Sequence, residues 1–333
     1  MGRTNEPMTS ETQGALFELA PRAIDAADMN PERASLAAKL PREVRFGTMT
    51  WSFPGWIGLV YARGVSEKHL APHGLTAYAK HPLLRAVEID RSYYDPLPAR
   101  IFRDFAEQVP EDFRFFAKAH EECLHLRFPE HARYGKKRGA PNPRFLDASY
   151  AADAVIAPVV DGLGSKLGGI LFQFPPQDVG DPRIFAERLH DFLRRLPRGL
   201  PYVVELRNEE LLTREYAAAL ADTGAVHCHN VWTSMPTLRA QAQGMPPEVR
   251  RPFVVRWLLR QGERYEDASA RYAPFDRIVS EDRWNRETIA RLVATALRRD
   301  VPAFVLVDNK AEGCAPESIA LLAQAIAVEL DQD

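Results

Sequence analysis

The sequence predicts a (β/α)8 barrel of the TIM type, with eight parallel strands and an N-terminal extension. Eight short apolar runs recur along the chain, at 44–51, 86–94, 113–120, 167–175, 202–208, 225–232, 253–259 and 303–310. Segments with helical periodicity fill most of the gaps, and repeated strand, helix, strand is the pattern of a closed parallel sheet. The runs also end in polar residues at nearly the same relative place, where such barrels carry their chemistry.

Residues 1–43 are polar, alanine-rich and broken by Pro7, Pro21, Pro31 and Pro41. They read as a partly flexible extension, and 44–330 as one barrel domain. The runs VRFGTMTW and AVEIDRSYY are followed by helix candidates at 68–80 and 98–108. After FRFFAKAH comes a long loop, 121–145, carrying Arg127, Arg133, Lys136, Lys137, Arg138 and Arg144, and then a helix at 146–161. LGGILFQFP leads to 182–195 and YVVELRN to 209–222. After AVHCHNVW the pattern weakens: Pro236, Pro246 and Pro247 leave a short or missing sixth helix. FVVRWLL leads into a second long loop, 260–281, and a helix at 283–299. There Ile289, Leu292, Val293, Ala296 and Leu297 form one stripe, and Glu281 and Asp282 suit the helix dipole. AFVLVDNK precedes the last helix, 316–329.

Composition bounds the function. With 43 basic and 45 acidic residues the net charge is −2, so global charge makes no case for nucleic acid or an acidic membrane surface. Cys123, Cys228 and Cys314 have no metal-type spacing and read as thiols of a reducing compartment. No apolar stretch suits a bilayer and no signal-peptide pattern opens the chain, so the expected location is the cytoplasm.

Strand side chains alternate between faces. In the second and fifth runs the aliphatic residues suit the helix side, which leaves Glu88 with Asp90, and Glu205 with Arg207, in the lumen. The same reading pairs Lys118 with His120, His227 with His229, and Leu306 with Asp308. It places Thr48, Gln173 and Arg256 inward on strands one, four and seven. Such charges must be paired or reached by water. Polar groups supplied to one mouth by so many separate strands favour a site over a purely structural network.

These residues carry a resemblance. The chain resembles the YecE-like family, a domain of unknown function, in six blocks in order over about 44–330. The opening block matches through Trp51, Ser52, Trp56 and Tyr61, and the second through Glu88, Tyr94 and Pro98. The third matches through Pro110, Phe113, Phe115, Lys118 and His125, and the fourth through Gln173, Pro175 and Pro176. VVELRN resembles its Glu-x-Arg block and VLVDNKAEGCA its Asn-rich ending, with Asn309. The resemblance implies a TIM-like barrel and supplies no activity. The chain departs from the pattern at Asp90, at Asp308, and on strand seven, which keeps Arg256 and lacks the usual His-Gly.

Three functions are weighed. The first is a hydrolase or lyase acting on an anionic, sugar-like or nucleotide-like small molecule. Glu205, Glu88, Lys118 and Asp308 would be catalytic, and Arg207, His120, His125, Gln173, Arg256, Trp51, Tyr94 and Asn309 would bind substrate. Arg207 lies two residues from Glu205, about 6–7 Å along a strand. It would hold an anionic group and keep Glu205 ionised as a base. The second is a divalent-metal-dependent isomerase or nuclease-like barrel using Glu88, Asp90, His120, Glu205, His229 and Asp308. The cations beside them argue against it, so no cofactor and no stoichiometric metal are expected. The third is a nucleic-acid or protein binding module using the basic loop 121–145, where Phe128 and Tyr134 are the interleaved aromatics. No phosphate-loop, dinucleotide or nucleophile-elbow motif is present.

Overall fold

The computed structural model describes residues 24–246 and 251–332. Eight strands form one closed parallel barrel in chain order. They are β1 (Val44–Thr48), β2 (Leu84–Ile89), β3 (Arg114–Lys118), β4 (Leu167–Gln173), β5 (Tyr202–Glu205), β6 (Val226–Val231), β7 (Phe253–Trp257) and β8 (Ala303–Val307). β1 pairs with β8 from Val44↔Ala303 to Thr48↔Val307, which closes the sheet. Gly47 makes the β1–β2 approach possible, because a Cβ there would lie 2.4 Å from the Ala86 carbonyl oxygen.

Ten helices that matter here are α1 (Pro31–Lys39), α2 (Glu67–His73), α3 (Ala99–Ala106), α4 (Ala157–Leu163), α5 (Pro182–Arg195), α6 (Arg214–Thr223), α7 (Leu238–Gly244), α8 (Tyr265–Tyr272), α9 (Arg283–Leu297) and α10 (Ala315–Asp331). The candidate at 68–80 ends its first piece at Gly74, where a Cβ would press on the Leu70 carbonyl at 2.5 Å. The candidate at 209–222 starts as a 3-10 turn, Glu209–Leu211, before Thr213 caps α6. α8 lies inside the stretch read as the loop 260–281. Prolines do shorten the sixth unit: α7 has 7 residues.

Of the extension, residues 1–23 lie outside the described residues. The next stretch is docked. Ala27 donates to Val60 O at 3.0 Å, and α1 is tied to α10 by an Arg33–Glu317 ion pair.

Inside the barrel, Ala86, Phe116, Leu171, Val203, Cys228, Val254, Phe304 and Leu306 pack into their own apolar layer. Outward residues such as Val87, Phe115, Phe172, Val204 and Trp257 join the helices in the larger core. This layer plugs the lumen and leaves the next inward positions at the C-terminal mouth.

Two parts of the inward assignment are corrected. Thr48 faces outward and shares a 2.8 Å hydrogen bond with the Tyr78 hydroxyl, while Met49 takes the inward place. His227 and His229 also face outward, toward Tyr216 and Phe253. The inward pair on β6 is Cys228 and Asn230, set by the register Cys228↔Val254 and Asn230↔Arg256. Polarity misled at β6 because the small, weakly polar Cys228 fills the lumen layer. The short α7 leaves space for imidazoles on the helix side.

Candidate active site at the barrel mouth

The mouth is organised by Arg256 on β7. Its Nη2 lies 2.9 Å from the Glu88 carboxylate on β2. Its Nη1 is ion-paired with Glu205 on β5 and donates to Gln173 Oε1 on β4 at 2.9 Å. Nη2 also meets Met49 Sδ at 3.2 Å. One guanidinium therefore links four other strands or strand ends. A planar fork can do this, whereas an ammonium could not hold the same directions.

Glu205 takes two further donors. Arg207 Nε donates to its Oε1 at 2.6 Å and Asn230 Nδ2 at 3.1 Å. Arg207 is stacked on Trp232, 3.8 Å from the ring centroid, and its Nη nitrogens make no hydrogen bond among the described residues. Asn230 is held by Gln241 of α7, which accepts from its backbone N–H at 3.0 Å and donates to its carbonyl at 2.8 Å. On the other side Lys118 reaches Asp90 at 2.6 Å and Glu88 at 3.9 Å, over the Tyr93 ring.

The two central carboxylates are both fully buried and titrate in opposite directions. Burial pushes Glu88 up to about 7, and Arg256 and Lys118 offset this only in part. Burial also pushes on Glu205, but Arg207 and Arg256 together overcome it and hold its carboxyl below the ordinary range. Burial lowers the Arg207 pKa, while the two glutamates raise that of Arg256 against burial. Two carboxyls with such separated affinities for protons can serve as acid and base.

A side cleft of about 440 Å³ opens onto Glu88. Met49, Trp51, Asp90, Arg91 and Phe105 line it. Trp51 is braced edge-on against Phe105 at 4.9 Å, and its Nε1 donates to Ala71 O at 3.1 Å.

The contacts thus join Glu88, Lys118, Gln173, Glu205, Arg207 and Arg256 in one network. The other sequence-derived site residues sit outside it. His125 is one step away, its Nε2 at 3.0 Å from the Tyr93 hydroxyl. His120 Nδ1 lies 2.7 Å from the Tyr150 hydroxyl. Burial lowers both histidines, His125 to about 4. Tyr94 stands at the rim, 49% exposed, under Arg133. Asp308 binds Lys310 Nζ at 2.9 Å and caps the turn after β8. Asn309 Oδ1 accepts from Trp56 Nε1 at 3.1 Å and from Ala315 N–H at 2.9 Å, which commits that oxygen to the frame. Asn230 and Trp232 were missed by the sequence reading. Both follow from the β6 register, and an inward Cys228 would have revealed Asn230.

The six-ligand metal reading is not assembled. His229 lies outside the lumen, and Arg256 and Lys118 already meet the carboxylates. Among the described residues, no three His, Cys, Asp or Glu side chains form a group suited to a metal ion. In the basic loop, Glu121 pairs with Arg133, and Glu122 with Lys137 and Arg144. No helix among the described residues is long and apolar enough to cross a membrane. The three cysteines are buried and unbridged.

A family profile described as "Protein of unknown function DUF72" matches residues 45–332. The chain belongs to this family. Solved DUF72 structures share the fold. One from Enterococcus faecalis V583 is 16% identical, covers 87% of this chain and 96% of its own, and superposes with a TM-score of 0.57. Another, from Thermotoga maritima MSB8, is 19% identical, covers 84% and 97%, and gives 0.56. Comparison with curated proteins gives no match. For this DUF72 member, then, the chemistry has to be argued from the mouth itself.

Proposed function

We propose that this protein is an acid–base enzyme, a hydrolase or lyase, acting on an anionic, sugar-like or nucleotide-like small molecule at the barrel mouth. One observation carries the reading. Glu88 and Glu205 share Arg256, yet burial raises one while two arginines lower the other. In this reading ionised Glu205 takes a proton from the substrate or from a bound water. Protonated Glu88 gives one to the departing group, and solvent restores both afterwards. The open fork of Arg207 suits a phosphate or carboxylate. The cleft walled by Trp51 and Phe105 suits a sugar or base.

The test begins with sugar phosphates, uronic acids and nucleoside monophosphates, screened by thermal shift and followed by phosphorus and proton NMR for turnover. A hit should be processed by the wild type and bound but not processed by Glu205→Gln. Arg207→Lys should bind it roughly tenfold or more weakly, the scale of losing one charge-assisted hydrogen bond. The reading fails if no compound shifts the melt, or if Glu205→Gln still turns over the hit. It also fails if both variants lose several kcal/mol of stability while binding is unchanged, the result of a buried structural pair.

A further inference from the structure

The register between β5 and β6 ends at Val204↔His227, whereas β6 stays paired with β7 as far as Val231↔Trp257. Asn230 lies beyond that end, fully buried. A buried N–H and C=O need partners. Here Gln241 of α7, itself buried, takes the place of a strand. Its Oε1 accepts from Asn230 N–H at 3.0 Å, and its Nε2 donates to Asn230 O at 2.8 Å and to Pro236 O at 2.7 Å.

That clasp fixes the point from which the Asn230 side chain springs. Asn230 Nδ2 donates to Leu206 O at 2.9 Å and to Glu205 Oε1 at 3.1 Å. Both partners only accept, so the amide has one orientation. Its Oδ1 is then buried with no partner among the described residues. An apolar side chain would avoid that cost. What the amide does in exchange is hold Glu205.

A carboxylate has about four lone-pair directions, two on each oxygen. Glu205 Oε1 takes Arg207 Nε at 2.6 Å as well as Asn230 Nδ2, so both of its directions are filled. Oε2 takes only Arg256 Nη1 among the described residues. We infer that Gln241 and Asn230 are positioning residues of the mouth: by closing Oε1 they leave Oε2, the oxygen bound to Arg256, as the atom of Glu205 that takes the proton. This role rests on the acid–base reading above, in which Glu205 is the base. It adds the accepting atom and two residues that select it, one of them in the helix layer. Without Asn230, Oε1 regains an open direction, and the carboxylate loses a hydrogen bond that favours its ionised form.

The test reads Glu205 itself and needs no substrate. Full-length protein, isotope-labelled at the glutamate side-chain carboxyls, is titrated by carbon NMR, and the resonance missing from Glu205→Gln identifies the group. Asn230→Leu should raise its titration midpoint by about one pH unit, the equivalent of one hydrogen bond. It should also move the resonance at pH 7. Gln241→Leu, which keeps Asn230 but unclasps it, should shift both in the same direction by less. Tyr78→Phe removes a buried hydrogen bond to Thr48 elsewhere on the barrel. It should lower the melting temperature and leave the Glu205 resonance unchanged. In the wild-type titration the Arg256 guanidinium resonances should move more than Arg207 Nε–H, and the reverse order overturns the choice of Oε2. Melting curves check that each variant folds. The proposal is overturned if Asn230→Leu and Gln241→Leu both leave the Glu205 resonance as in the wild type, whether or not they lower the melt as Tyr78→Phe does. A shift with Asn230→Leu alone overturns the part assigned to Gln241. Because no turnover is measured, a compound screen without a hit ends the enzyme reading alone, and these shifts still decide the positioning.

Discussion

The lumen floor and the outer face of β6 both bury titratable side chains on barrel strands, yet they resolve the burial differently. In the lumen, Arg256 is ion-paired with both Glu88 and Glu205, and Arg207 with Glu205. Behind β6, His227 and His229 face apolar walls, and burial drives His229 down to about 4 and His227 well below its ordinary value. Burial disfavours charge in both places. What differs is whether an opposite charge stands within a few ångströms to oppose it. Glu88 is the intermediate case, since its cations offset burial without overcoming it.

The largest effect should come from removing the shared cation. Arg256→Leu leaves two buried carboxylates that have lost a partner, and stability measured by urea denaturation at pH 7 should fall by about 3–5 kcal/mol. A loss below about 1 kcal/mol, the scale of exposed pairs, would mean that the floor is as solvated as a surface and that the contrast is false.

Acid should act next, and mainly on the outer face. His227 and His229 have folded pKa values below their ordinary 6.5. Below that pH the unfolded chain binds more protons. Their contribution is therefore present above 6.5 and lost as pH falls below it, toward about 4 for His229, by roughly 1.4 kcal/mol per pH unit for each histidine that stays neutral in the folded chain. The double variant His227→Leu/His229→Leu should flatten this acid limb in melts between pH 7 and 5. An unchanged slope would show that solvent already reaches these rings.

Glu88 should act with the opposite sign. Its folded pKa, about 7, is above the ordinary 4.5, so here the folded chain binds more protons. Its contribution is fully present below 4.5 and is lost as pH rises through 7. The slope within that window is roughly 1.4 kcal/mol per pH unit for one carboxyl. Glu88→Gln should remove it, which is detectable as a difference between wild-type and variant stability curves. A difference curve that instead rises with pH would mean that Glu88 is held ionised like Glu205.

The smallest effect sharpens the outer region. Tyr216→Phe removes one hydrogen bond to His227 and should cost about 1 kcal/mol. It should also change the His227 tautomer seen by NMR. No change in either would remove Tyr216 from the account of that face.

The strand count, the strand positions and the mouth residues Glu88, Lys118, Gln173, Glu205, Arg207 and Arg256 were all legible in the chain. A run such as YVVELRN has one register that puts its aliphatic residues against helices, so Glu205 and Arg207 had nowhere to point but inward. AVHCHNVW offered no such contrast. Its two possible registers bury either Cys228 and Asn230 or two histidines in the lumen, and neighbouring β7 made the choice through Cys228↔Val254. Arg256 could be placed in the lumen from its own strand, but not as the link between Glu88 and Glu205. These residues come from β2, β5 and β7, and only barrel closure sets the distances among them. Local alternation therefore determined which face each patterned strand shows. Partner choice and proton affinity were decided by tertiary structure, because both depend on what the rest of the chain brings within a few ångströms.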